Sequence, residues 1–140
     1  MASELAYHAG MAGEPVLAAT ACIAAGRRCL RLFANAQAEA LARRGRSYVA
    51  ELAEPDRLKL TIELLEVQLG ARRPEQPESV AIELNALAQQ ALDHDCPEHA
   101  RIAFHLLSYL RWERGDWTGA QRHTLQAELM VGRGRTSRIG

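Results

Sequence analysis

A short polar segment, DHDCPEH at residues 93–99, contains the side chains with which proteins bind zinc. Imidazole, thiolate and carboxylate groups are the usual zinc ligands, but the sequence offers no second cluster of them to complete a site. The same segment also has the features of a junction between two helices. Asp95 or Cys96 can cap a helix, Pro97 suits its first position, and Glu98 favours the positive end of its dipole. We therefore predict a junction without a metal.

Cys96 and His99 could also act as the thiol and base of a nucleophilic site. Such chemistry needs a positioned base and usually a third group, and neither a glycine-rich oxyanion loop nor an orienting carboxylate is identifiable. The paired carboxylates Glu63 and Glu66 fit a solvated helix face better than a glycosidase site. We predict no catalytic residue and no cofactor.

Two of the three cysteines lie on one helical seam. Cys22 and Cys29 alternate with Ala18, Ala25 and Leu32 in steps of four and three residues. An odd number of cysteines does not build a disulfide framework, and an intracellular setting does not favour one. We expect the cysteines to be small core residues.

The charge balance and the hydrophobic content exclude two classes of protein. The chain has 17 basic and 17 acidic residues and is 48% hydrophobic, which excludes a polyelectrolyte tail and a disordered composition. Two arginine groups have acidic neighbours, so an exposed helix face is a simpler interpretation than a nucleic-acid surface. These groups are Arg27, Arg28 and Arg31, and Arg43, Arg44 and Arg46. Arg133, Arg135 and Arg138 keep a nucleic-acid-associated segment as the alternative.

The hydropathy pattern does not predict a membrane protein. No stretch approaches the roughly 20 apolar residues of a membrane span, and the first residues lack the pattern of a signal peptide. We therefore expect a cytoplasmic protein that has no membrane partner.

Hydrophobic periodicity predicts helices and no strands. Leu58, Ile62, Leu65 and Leu69 step by four, three and four residues, which matches one face of a helix. Proline and glycine mark the boundaries between such segments. The predicted helices span residues 2–11, 15–31, 34–52, 56–70, 79–94, 97–114 and 117–131. We expect 132–140 to be a flexible basic tail.

Two distant stretches share a spacing of glycine and alanine. The shared positions are Gly13, Ala18 and Ala25 in the first copy and Gly115, Ala120 and Ala127 in the second. The copies are 102 residues apart, three times the roughly 34-residue period of tetratricopeptide repeats. Small residues two turns apart let neighbouring helices approach closely, and glycine permits a sharp reversal between them.

The unit at residues 101–131 resembles a tetratricopeptide repeat. Phe104 stands at the aromatic site of the first helix, and Leu107 with Ser108 forms its large-then-small pair. The resemblance implies an all-α fold, a solenoid of about seven helices in antiparallel pairs, with residues 1–131 as one domain. The register breaks in the middle of the chain, at the long loop 70–79.

A wider resemblance covers most of the chain. The segments that carry it are LAYHAGMAGEP, RLFANAQAEALARRG, LLEVQLGARR and LSYLRWERGDWTGAQRH. They resemble the helical repeat region that follows the ATPase module of STAND-type bacterial signalling regulators, which end in nucleotide cyclase or LuxR-type domains. The resemblance implies a non-catalytic scaffold for protein–protein interaction, with a protein, a peptide or a flanking ATPase module as partner. The chain departs from that family because we identify no ATPase motif, cyclase domain or DNA-binding helix pair.

The predicted partner-binding groove lies on the helix at residues 97–114. His105, Tyr109 and Trp112 are spaced four and three residues apart, and Arg111 and Glu113 flank them. Such side chains supply large contact area with hydrogen-bonding tips at low entropic cost. The alternative is that Tyr109 and Trp112 pack as core, as aromatic residues at this spacing commonly do.

The last predicted helix keeps several large apolar side chains, namely Trp117, Leu125, Leu129 and Met130. Terminal elements of a solenoid usually have a polar outer face. If these side chains are not used internally, we expect self-association or docking of another domain through this helix.

Overall fold

The structure is a computed structural model that describes residues 14–139, with side chains described through residue 131. Within this range it contains six α-helices and no strand, so the all-α prediction is confirmed for the described chain. The helices are α1 (Pro15–Arg31), α2 (Asn35–Val49), α3 (Asp56–Ala71), α4 (Pro77–Asp93), α5 (Pro97–Glu113) and α6 (Trp117–Ile139). The predicted helix at 2–11 and Gly13 lie outside the described residues.

Proline fixes three of the helix starts. Pro15, Pro77 and Pro97 each occupy the beginning of a helix, where the missing N–H is no loss and the fixed φ is already helical. The predicted bounds of α1 match the structure. The predicted start of α4 at Ser79 is two residues late, and the predicted end of α6 at residue 131 is too early, because the helical backbone continues to Ile139.

Three junctions between consecutive helices share one turn, although their sequences differ. In each, one residue is left-handed, and the following N–H bonds to the carbonyl five residues earlier, which is the Schellman arrangement. The left-handed residues are Phe33 (φ 60°), Asp95 (φ 55°) and Gly115 (φ 78°). The bonds join Ala34 to Cys29 at 2.8 Å, Cys96 to Ala91 at 2.7 Å and Asp116 to Arg111 at 2.9 Å. Glycine favours this conformation and aspartate adopts it occasionally, whereas a bulky residue such as Phe33 rarely does.

The contacts between helices divide the chain into two compact units, with the boundary between Arg73 and Pro74. The sequence predicts residues 1–131 as one domain. The first unit contains the described helices α1–α3, and the second unit contains α4–α6.

In the first unit, α1 packs against both α2 and α3. Large residues of α3 fill its core, among them Leu58, Ile62, Leu64 and Val67. The partners on α1 and α2 are small residues, including Ala19, Cys22, Ala38 and Ala42. The helices approach so closely that a Cβ at Gly45 would lie 2.5 Å from the Leu64 Cδ2 and 3.1 Å from the Cys22 Cβ. This pairing of large with small closes the bundle.

In the second unit, α5 packs against both α4 and α6. Phe104, Leu107 and Leu110 of α5 are buried, and Phe104 stacks on the His123 ring at a centroid distance of 6.4 Å. The Ser108 hydroxyl donates a hydrogen bond of 2.8 Å to the Ala120 carbonyl oxygen. These contacts fix α6 on α5.

Candidate partner-binding site

The residues predicted to pack a repeat can be placed individually. The buried ones are Ala18, Ala25, Phe104, Leu107, Ala120 and Ala127. Gly115 is exposed and forms the left-handed turn before α6. The alanines therefore lie at helix interfaces, where their small side chains permit close approach.

The predicted aromatic stripe lies on the surface of α5. His105 is exposed, Tyr109 is 37% exposed and Trp112 is 55% exposed, so neither large ring belongs to the core. Glu113 is half-buried. The Trp112 ring meets Trp117 of α6 edge to face, with centroids 5.7 Å apart and an angle of 69° between the planes. This contact orients the Trp112 indole while leaving much of it accessible.

A cleft of about 510 Å³ lies on a different face of α5, between α4 and α6. Leu107 and Arg111, one turn apart on α5, line it. Ala81 and Ile82 of α4 contribute the apolar part of one wall, and Ile82 is 70% exposed. The opposite wall belongs to α6. The four residues of the predicted groove are not among the side chains that line this cleft, because the stripe projects from the other side of α5.

The α6 wall carries charged and polar groups. The Asp116 carboxylate accepts a hydrogen bond of 2.9 Å from the Gly119 N–H, so it caps the amino end of α6. His123 also lines the cleft, and its Nδ1 lies 2.8 Å from the Gln126 Oε1. Arg122 is exposed, and it has no hydrogen-bond or ion-pair partner among the described residues.

Arg111 on α5 is engaged at the rim of the cleft. Its Nη1 lies 3.6 Å from the Glu78 Oε1, and Arg114 pairs with the same carboxylate. One carboxylate therefore serves two guanidinium groups. Among the charged side chains that line the cleft, the two cations Arg111 and Arg122 outnumber the one anion, Asp116.

Sequence analysis identified Arg111 as a flanking residue and missed Arg122. The only signal for Arg122 was its spacing from Gly119, three residues earlier on the same helix face. That spacing becomes meaningful only when α4 and α6 both pack on α5 and leave space between them.

The polar segment 93–99 lies between α4 and α5, as the junction interpretation predicted. The expected capping by Cys96 is wrong. Cys96 is the N-cap residue, but its thiol donates to the His94 carbonyl oxygen at 3.4 Å and makes no cap bond. A thiol is a weak acceptor, so this result has a simple cause. Among the described residues, no group of three or more His, Cys, Asp and Glu side chains is placed to hold a metal ion.

All three cysteines are free thiols. Cys22 and Cys96 are buried and Cys29 is half-buried. Burial raises the pKa of the Cys22 thiol, and the Arg44 guanidinium opposes that shift. Since the thiolate is the reactive form, Cys22 is chemically quiet and acts as a small core residue.

The outer face of α6 exposes Trp117, Leu125 and Leu129, whereas Met130 is buried. Self-association through this face stays a prediction, and sedimentation velocity over a wide range of protein concentration tests it. A monomer throughout that range would contradict it.

Comparison of the chain with protein-family models, with curated proteins and with solved structures gives no match. A search of the described residues for membrane-spanning segments finds no helix with the length and hydrophobicity to cross a bilayer.

Proposed function

We propose that this chain is a non-catalytic helical scaffold that binds another protein, and that it is part or a relative of a bacterial signalling or transcriptional regulator. The observation that carries the binding role is the exposed stripe of His105, Tyr109 and Trp112 on α5. The parentage rests on the sequence resemblance alone. The proposal includes a cytoplasmic location and no cofactor.

The stripe has the properties of a binding hot spot. Tyr and Trp lose little conformational entropy when they bind, and each buries a large area with a polar tip that can find a partner. The Trp117 edge contact holds the Trp112 ring before any partner arrives. Preorganisation of this kind lowers the entropic cost of association.

A tetratricopeptide-like arrangement is the fold we propose for this scaffold. Its support is the Schellman turn shared by three helix junctions, together with the burial of Ala120 and Ala127 in α6. A repeated turn and small interface residues are what stacked helix pairs require.

The non-catalytic part of the proposal is supported by the candidate groups themselves. The Cys96 thiol is buried against the His94 carbonyl oxygen, and Cys22 has a raised pKa. A nucleophilic thiol needs an accessible position, and both of these thiols are buried.

The alternative, an association with nucleic acid, receives less support from the first unit. A nucleic-acid surface needs a stripe of cations that are free to meet phosphate. Several arginines here already face carboxylates. The pairs are Arg27–Glu63, Arg43–Glu39, Arg57–Glu54 and Arg72–Glu39.

Selection of peptides from a phage-displayed library on the purified protein tests the proposal, with affinities measured by calorimetry. We expect Trp112→Ala to weaken the selected peptides by about 2 kcal/mol or more, the scale of a hot spot. Leu32→Ala is the matched control, because Leu32 is an exposed apolar residue of the first unit. Peptides that bind wild type, Trp112→Ala and Leu32→Ala alike would contradict the proposal.

A further inference from the structure

We propose that the cleft between α4 and α6 binds an acidic segment of a partner protein. A side-chain carboxylate of that segment pairs with Arg122 and Arg111, and a neighbouring apolar side chain packs on Ile82. The inference rests on the proposed function in one respect, since it assumes a protein partner. It adds a second subsite, on a different face of α5 from the aromatic stripe.

The charge of the cleft selects an anion. Arg122 stands exposed without a partner among the described residues, and Arg111 shares the Glu78 carboxylate with Arg114. The planar guanidinium group binds a carboxylate through two parallel hydrogen bonds, which gives orientation as well as attraction. A ligand carboxylate here therefore gains a charge-assisted pair without displacing an internal partner of Arg122.

The apolar wall selects a ligand that also carries hydrocarbon. Ile82 is 70% exposed and stands beside Ala81, while Leu107 is buried on the neighbouring helix. A cation next to an exposed branched side chain fits a segment in which acidic and apolar residues are close together. A purely anionic ligand would leave Ile82 in water.

The amino end of α6 argues against a small anion such as phosphate. Phosphate sites at helix termini use free backbone N–H groups, but the Gly119 N–H is already bonded to the Asp116 carboxylate. Because Ile82 and Arg122 on the walls of the cleft are exposed, a peptide needs to present only one face to it, whereas a small ligand is usually enclosed.

The test uses the full chain and two short fluorescein-labelled peptides, read out by fluorescence anisotropy. One peptide has glutamate and leucine residues at helical spacing. The other has the same sequence with glutamine at every glutamate position. We expect binding of the glutamate peptide that weakens as salt is added, and at least tenfold weaker binding of the glutamine peptide. Arg122→Ala should weaken the glutamate peptide by about tenfold or more, the scale of one charge-assisted hydrogen bond.

Two further variants make the result specific. Arg122→Lys keeps the charge but loses the planar fork, so its affinity should fall between wild type and Arg122→Ala. Arg28→Ala removes an equally exposed arginine from α1, and its affinity should equal that of wild type. Circular dichroism of each variant checks that the helices are retained.

Several results would overturn the proposal. Equal binding of the two peptides, equal loss in Arg28→Ala and Arg122→Ala, or no binding by wild type would each do so. Competition by millimolar inorganic phosphate, with no preference between peptides, would identify a small-anion site instead. If Trp112→Ala weakens selected peptides while Arg122→Ala changes nothing, the scaffold function stands and the cleft proposal falls.

Discussion

The first unit brings α1 into contact with α3 as well as α2, whereas in the second unit α4 and α6 pack on α5 and leave a cleft between them. Each unit contains three described helices. In the first, side chains between the first and third helices are used as core. In the second, the exposed side chains of Ile82 and Arg122 line a cleft between the first and third helices.

The side chains at these positions differ between the two units. In the first unit, Arg27 of α1 reaches Glu63 and Glu66 of α3, at 3.0 and 3.4 Å. In the second unit, Ile82 of α4 and Arg122 of α6 have no such complement in each other. A third helix that packs on both of the others fills the space between them, whereas one that packs on a single helix leaves a cleft.

The largest effect should come from the closed core. Leu64→Ala removes a fully buried side chain among α1, α2 and α3, and we expect it to lower the free energy of unfolding by about 2–5 kcal/mol. Urea unfolding followed by circular dichroism measures it. Ile82→Ala in the cleft wall is the control and should change stability by less than about 0.5 kcal/mol. Similar costs for the two variants would show that the cleft is packed like a core.

A smaller loss of stability should come from overpacking the α5–α6 interface of the second unit. Ala120 is buried on α6 next to Ser108 of α5, so Ala120→Leu should overpack this interface at a cost of about 1–3 kcal/mol. Gln121→Leu changes the exposed neighbour and should be nearly neutral. Thermal unfolding of both variants measures the change in stability. If Ala120→Leu is as stable as wild type, Ala120 is not tightly packed at the α5–α6 interface.

At one of the shared turns, a substitution by glycine should stabilise the protein. Phe33 is 88% exposed and left-handed, and a side chain in this conformation costs about 1–2 kcal/mol relative to glycine. Because glycine also loses more chain entropy on folding, we expect Phe33→Gly to stabilise the protein by about 0.5–1 kcal/mol. Thermal unfolding reports it. Leu32→Gly, at a residue with negative φ, should destabilise instead, and stabilisation by both would remove the conformational explanation.

The smallest effect concerns the ion pairs across the first unit. Arg27→Gln removes the contacts to Glu63 and Glu66, and for such partly exposed groups we expect a loss of only about 0–1 kcal/mol. The difference from wild type should shrink as salt rises, because salt screens surface charges. Arg28→Gln is the matched control on the same helix. A loss that does not respond to salt would mean that Arg27 acts through packing.

The sequence predicts the helices. Leu58, Ile62, Leu65 and Leu69 predicted α3, and Pro97 predicted the start of α5, because hydrophobic period and proline geometry are local properties. It also identified Tyr109 and Trp112 as one stripe, since helical spacing alone puts them on one face.

The role of each helix face depends on tertiary contacts. Whether Tyr109 is core or surface depends on which helices cover α5, and the left-handed turns at Phe33 and Asp95 depend on the chain reversal that each junction must make. Arg122 joins Arg111 and Ile82 in one cleft because α4 and α6 both pack on α5 without closing over it. That arrangement follows from contacts between residues far apart in the chain, and no local pattern of residues encodes it.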